Sequence, residues 1–405
     1  MKNGKKIMAN NDNNVVRFPG AVREENHGRR LIPSRLLEAR LAKRLNQTEL
    51  AALIGVSRQA ISSYELGDKT PEPSTMRVLA EALGQPISFF TQEATPVFGE
   101  FSANFFRKTG ADTKRRNMAC EVFARWLSQT AYVFDDVANY PSVDLPAFEP
   151  QSATSSHYEA EEIETIAENV RDHFKLGLGP ISNVVRLLET KGILIARVQI
   201  PDENIEAFSY WSGQRPFIFL ASEKESGARA RFDVAHELGH LVLHRWVGAD
   251  DLEDKDRLKE IESEADRFAG AFLLPRRSFP NEVYSPRLTA FVDLKMRWKV
   301  SIGAMIYRCK NLGLFDEQQV TNLYKQISFK KWRKIEPLDG PNGLPIEQPL
   351  LLRRVSELVV ENGRRQKDEI MAALSFAPEM IEQLAGLPAG YFASDHIVDF
   401  KPTLK

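Results

Sequence analysis

Between Leu31 and about Phe90 the apolar residues recur at helical spacing, with breaks at "LNQ", "IGVS" and "GDKTPEPS", which predicts a small all-helical unit. The residues before it are polar, Asn-rich and aperiodic and read as a flexible arm, 1–30. Residues 93–155 combine a basic helical stretch with a Pro-bearing segment, "NYPSVDLPAFEPQS", and read as a helical linker. "EAEEIETIAENVRDHFKL" and "ISNVVRLLETKG" are amphipathic helices, the second stopped by Gly192. Three short runs, "ILIARVQI", "AFSYW" and "PFIFL", read as strands. Two helices follow, "RFDVAHELGHLVLH" and "RLKEIESEADRFAGAFLLP", the latter closed by Pro275, and helices dominate the remainder. The pattern therefore divides into an all-α unit at 31–92, an α+β unit at 156–314 and a helical C-terminal extension at 315–405.

The stretch "RFDVAHELGHLVLH" needs a chemical explanation. Wrapped at about 100° per residue, its apolar side chains cover most of the circumference, so the helix is expected to be buried. The narrow polar strip holds Asp233, His236, Glu237, His240 and His244. Unpaired polar groups are costly to bury, so this strip must face a partner or a site. His236 and His240 stand one turn apart and can grip one ion, while Glu237 is turned about a quarter of the way round and can reach a water on it. This is the H-E-x-x-H arrangement of two zinc ligands and a general base. Gly239 removes a side chain where another backbone could approach. His244 lies two turns from His236, too far to share the ion, and reads as a residue that packs against or supports the ligands.

A catalytic zinc keeps three protein ligands and one open position. Trp246 occupies the place of the third histidine of metzincins, which excludes that class. A glutamate on the following helix is the other common solution, and Glu260, Glu262 and Glu264 are available. Glu262 flanks the apolar face and is favoured; Glu264 is the alternative. Asp266 lies one turn after Glu262, placed to accept a hydrogen bond from a ligand imidazole. "FDVAHELGHLVLH" followed by "IESEADRFAGAFLLP" resembles the ImmA/IrrE metallopeptidase family, over about Tyr158 to Leu314. The resemblance implies a zincin-like α+β fold, zinc held by His236, His240 and Glu262, Glu237 as the base, and hydrolysis of a peptide bond. Tyr284 and Tyr307 are unranked candidates for stabilising the oxyanion, and "PFIFL" is a candidate edge strand for an extended substrate.

The all-α unit reads as a helix-turn-helix. Gln47 to Ile54 forms one helix, Gly55 suits a positive φ in the turn, and Ser57 caps a second helix. Arg58, Gln59 and Ser62 fall at the outer N-terminal end, where a recognition helix meets base edges, with Arg suited to guanine and Gln to adenine. Gln47, Arg40, Lys43 and Arg44 are candidates for phosphate contact. The stretch 31–90 resembles the Cro/repressor-type (XRE) helix-turn-helix family, which implies operator DNA as a partner and a homodimer as a possible state. Members of the ImmA/IrrE family that sit beside such modules cleave a helix-turn-helix repressor, so the combination implies a protein substrate of that kind. A transcription factor with a sensing or structural zinc domain, or a toxin–antitoxin or phage-defence component, are the competing expectations.

Bulk properties change this picture little. A net charge of −1 over 405 residues implies that any nucleic-acid surface is local. Two distant cysteines, Cys120 and Cys309, fit a reducing cytosol without disulfides. The N-terminus lacks the apolar core of a secretory signal and no run reaches membrane-spanning length, so a cytoplasmic protein without membrane partners is expected.

Overall fold

The computed structural model describes residues 30–102, 113–148, 157–199, 207–222, 226–248, 251–252 and 254–393; apart from Arg30, the expected N-terminal arm lies outside them. Helices α1 (Pro33–Ala42), α2 (Gln47–Ile54), α3 (Arg58–Leu66), α4 (Pro73–Leu83) and α5 (Ile87–Thr91) form the N-terminal unit. Local chemistry sets its turn. Asn46 and Glu49 make a reciprocal capping box at the start of α2, Gly55 ends that helix at φ 73°, and the Ser57 hydroxyl accepts from Ala60 N–H to start α3.

Among the described residues one three-stranded sheet is present, formed by β1 (Leu194–Val198), β2 (Ala207–Ser212) and β3 (Arg215–Ala221) in the order β1-β3-β2. β1 pairs parallel with β3, and β2 pairs antiparallel with it. The segment "PFIFL" is therefore central rather than an edge, and the edges fall to β1 and β2. Both β3 and the edge strand β2 are covered on both faces, so their apolar runs do not alternate and do not mark which of them is central.

The period of two sorts the sheet into two faces. Leu194, Ala196, Val198, Phe208, Tyr210, Phe217 and Phe219 point into one core, while Ile195, Ala207, Trp211, Ile218 and Leu220 point into another. On the first face Phe208 stacks on Phe219 at 4.8 Å and Tyr210 on Phe217 at 5.0 Å, both directly paired across β2 and β3. The long helix α6 (Thr113–Tyr132) covers this face, and Tyr210 Oη donates to the Ala124 carbonyl at 2.8 Å.

This first core is shared. It takes in the helix-turn-helix unit, α6, and the last helices of the chain, Leu351–Glu361, Lys367–Leu374 and Pro378–Ala385. Trp126 on α6 touches the rings of Phe89 from the first unit at 5.7 Å and Phe376 from the C-terminal part at 5.3 Å. The segment expected to act as a linker thus contributes a central packing helix. The expected extension also splits: helix Glu317–Phe329 supplies Val320, Leu323 and Ile327 to the second core, and the later helices join the first. No helix among the described residues is long and apolar enough to cross a membrane.

Trp126 is 1% exposed and joins three sequence regions, so Trp126→Ala is expected to cost about 3–5 kcal/mol in chemical denaturation. A loss below about 1 kcal/mol would show that this core does not unite them.

Candidate metal centre

After α7 (Ala160–His173) and α8 (Val184–Thr190), helix α9 (Gly227–Leu243) lies on the second face of the sheet and crosses helix α10 (Lys255–Leu273). Gly239 permits the crossing: a Cβ there would stand 3.1 Å from Phe268 Cδ1 and 3.3 Å from Ala265 Cα. That approach places Glu262, one turn before Ala265, and Asp266, next to it, against the polar strip of α9. His236 Nε2 and His240 Nε2 lie 2.9 Å apart, and Glu262 reaches them with Oε2 at 3.4 Å and Oε1 at 3.5 Å respectively. A tetrahedral zinc with bonds of about 2.0–2.1 Å sets its ligand atoms about 3.3 Å apart, so two imidazoles and one carboxylate at these separations fit such an ion. Among the described residues, His236, His240 and Glu262 are the group whose donor atoms converge in this way.

The electrostatics suit a cation. His236 and His240 are fully or almost fully buried, and burial lowers the His240 pKa to about 3, which keeps the ring neutral with one nitrogen lone pair open. Burial alone would raise Glu262, but hydrogen bonds and charge from His236 and His240 outweigh it and hold the carboxyl well below the usual range.

Around these three the structure arranges further groups. Asp266 Oδ1 accepts from His236 Nδ1 at 2.8 Å. Glu237 is buried, and its Oε2 accepts from Ser209 Oγ at 2.7 Å. Ser209 was not singled out in the sequence, although a hydroxyl inside the apolar run "AFSYW" was the available signal. It faces α9 because it sits one residue out of step with Phe208 and Tyr210. His244 is not in the trio: its Nδ1 meets His240 Nδ1 at 3.0 Å and its Nε2 meets Glu264 Oε2 at 2.8 Å. Glu264 is therefore engaged away from the three donors, with His157 Nδ1 at 2.7 Å, Tyr158 N at 3.3 Å and Arg257 Nη1 at 3.3 Å on its other oxygen. Tyr284 and Tyr307 are 72% and 46% exposed.

On the helix-turn-helix, Arg58 and Gln59 are exposed at the start of α3 and Ser62 is half-buried one turn on. Lys43 is exposed after α1 and Arg44 half-buried beside it. Arg40 departs from expectation. It is buried, its Nε and Nη2 grip Glu65 Oε1 and Oε2 at 2.5 and 2.9 Å, and its Nη1 donates to the Leu45 carbonyl. Gln47 Nε2 donates to the same Glu65 at 2.8 Å. Arg40 is thus spent on a bidentate pair that ties α1 to α3, and the amide nitrogen of Gln47 is committed with it; neither commitment is readable from helix phase alone.

Residues 188–310 match the IrrE N-terminal-like domain, and residues 36–90 match a helix-turn-helix domain. The chain joins an XRE-type helix-turn-helix to an ImmA/IrrE-like domain. No curated protein matches it. The IrrE-like match covers the sheet, α9 and α10, and so contains the whole His236, His240 and Glu262 cluster. A DNA-binding module and a peptidase-like module therefore share one polypeptide.

Purified protein is expected to bind about one zinc per chain by elemental analysis, and His236→Ala or His240→Ala to lose it. Glu262→Gln should weaken zinc far more than Glu264→Gln; the reverse order would move the third ligand. For the DNA module, Arg40→Ala strands Glu65 and should cost about 3–5 kcal/mol of stability. Arg58→Ala with Gln59→Ala should leave the melting temperature in place and remove sequence-specific shifts of genomic DNA fragments, at about 1–3 kcal/mol per base contact. Equal melting temperatures for wild type and Arg40→Ala would restore Arg40 as a surface residue.

Proposed function

We propose that this protein is a DNA-binding regulator whose IrrE-like domain is a zinc-dependent endopeptidase acting on a helix-turn-helix repressor or a related regulatory protein. The observation that carries the reading is the convergence of His236, His240 and Glu262 beside a buried Glu237 whose carboxylate is oriented by Ser209. A zinc ion held by those three would polarise the scissile carbonyl and acidify a water. Everything else falls to the protein. Glu237 takes the proton of the attacking water on its carboxylate and delivers it to the leaving amide nitrogen. Ser209 donates to Oε2 and so fixes the orientation of that carboxylate. The apolar wall of α9 and the sheet keeps bulk water away from the carboxylate, which strengthens its interactions.

DNA binding gives the peptidase its address. Arg58 and Gln59 would hold the chain at an operator, and a repressor bound at the same promoter would meet the peptidase at high effective concentration.

Glu237→Gln tests the reading, because it preserves shape and leaves the three donor side chains untouched. Zinc content and DNA binding should persist while cleavage of a co-expressed neighbouring repressor, read by immunoblot, falls about 10²–10⁴-fold. Wild-type induction of a promoter reporter by Glu237→Gln, with the repressor intact throughout, would favour a sensing or structural zinc module instead.

A further inference from the structure

The hydrogen bonds beyond the cluster have a direction, and it can be worked out from the ligand end. A nitrogen that binds a cation presents a lone pair, so His236 and His240, which turn Nε2 towards Glu262, must carry their protons on Nδ1. His236 Nδ1–H then donates to Asp266. His240 Nδ1–H donates to His244 Nδ1, which must be the acceptor nitrogen of that ring. The His244 proton therefore sits on Nε2 and donates to Glu264 Oε2. The chain ends there, because a carboxylate accepts only, and Glu264 Oε1 takes further bonds from His157 Nδ1, Tyr158 N–H and Arg257 Nη1.

From these assignments we infer that His244 and Glu264 are positioning residues that hold His240 in its metal-binding tautomer and orientation through a one-way relay, the inference resting on the metal reading above. Reversed, the relay would put a proton on His240 Nε2, in the middle of the donor set. Glu264, a carboxylate that accepts from His244, opposes that state from the far end of the relay. Mere packing does not account for His244, because a buried ring with both nitrogens paired to titratable groups is a costly way to fill space. Its placement is also enforced: Tyr158 packs edge-on against the ring at 6.4 Å and its Oη donates to the Leu243 carbonyl at 3.0 Å. The two arms differ in medium. Asp266 is about half exposed, whereas His244 and Glu264 are buried, so the second arm runs where charge-assisted hydrogen bonds are strongest.

The test measures zinc affinity of the full chain by competition with a chromophoric chelator, together with the visible spectrum of the cobalt-substituted protein. His244→Phe keeps a ring but removes the acceptor, and should weaken zinc about 10–100-fold and shift the cobalt bands. His244→Gln, whose amide can accept from His240 and donate to Glu264, should recover most of that loss. Glu264→Gln should weaken zinc by less than His244→Phe. Affinity within about twofold of wild type for His244→Phe, with wild type binding zinc, overturns the relay and leaves the metal reading intact. Wild type that binds no zinc overturns both. Should His244→Phe fail to fold, nitrogen-15 NMR of histidine in the zinc-loaded wild type still decides: a His244 proton on Nε2 supports the relay, and one on Nδ1 overturns it.

Discussion

The close passage of α10 over Gly239 is the constraint on which the centre depends. Donor atoms from two helices must meet within a few ångströms, yet helix axes normally pass 8–10 Å apart. A missing side chain at Gly239 and a methyl at Ala265 allow the close approach. Once the axes are that near, the helical repeat does the rest. His236 and His240 lie on either side of the glycine on one helix, and Glu262 and Asp266 lie on either side of the alanine on the other. A larger residue at either contact would have to displace Phe268 or the α10 backbone, and would open the donor set.

The sheet transmits the other requirement, the orientation of Glu237. β2 alternates between two cores, so a single strand can pack Phe208 and Tyr210 against the DNA-binding half and still offer Ser209 to α9. The two modules therefore do not hang on a tether. Packing runs from α1 through α6 and Tyr210 to the strand that holds the catalytic carboxylate in the proposed reaction. Only a two-state rearrangement in that path would couple operator binding to cleavage, and the shared core supplies the contact but not by itself the switch.

Much of this was legible because it is periodic. The recurrence of histidine every four residues, the phase of Glu262 and Asp266 on their helix, and the caps around Gly55 are local patterns; in the structure His236, His240 and Glu262 converge, Asp266 meets His236, and α2 and α3 are capped. Long-range pairing left no such trace. Arg40 looked free for phosphate until Glu65 closed on it from 25 positions away. "PFIFL" carries no mark of which strands flank it, and a continuous apolar run is the expected signature of a central position only once the sheet order is known. The role of α6 was hidden for the same reason: its basic start reads as surface, while Trp126 is committed to partners at both ends of the chain.

Buried carboxylates show why residue type alone could not assign roles. Glu347 accepts from the first N–H groups of the helix at Val184–Thr190, Glu189 does the same for Leu350 and Leu351, and Glu336 for Ile302 and Gly303. Each meets the positive end of a helix dipole and fixes one element against another distant in sequence. Glu262 and Glu264 are equally acidic and sit on one helix two residues apart, but they meet imidazoles instead. Two residues along a helix is about 200°, so the two carboxylates cannot face the same group. One is directed at the open nitrogens of His236 and His240, the other at the far nitrogen of His244. Helix phase, rather than acidity or burial, separates the carboxylate that faces His236 and His240 from the one that faces His244.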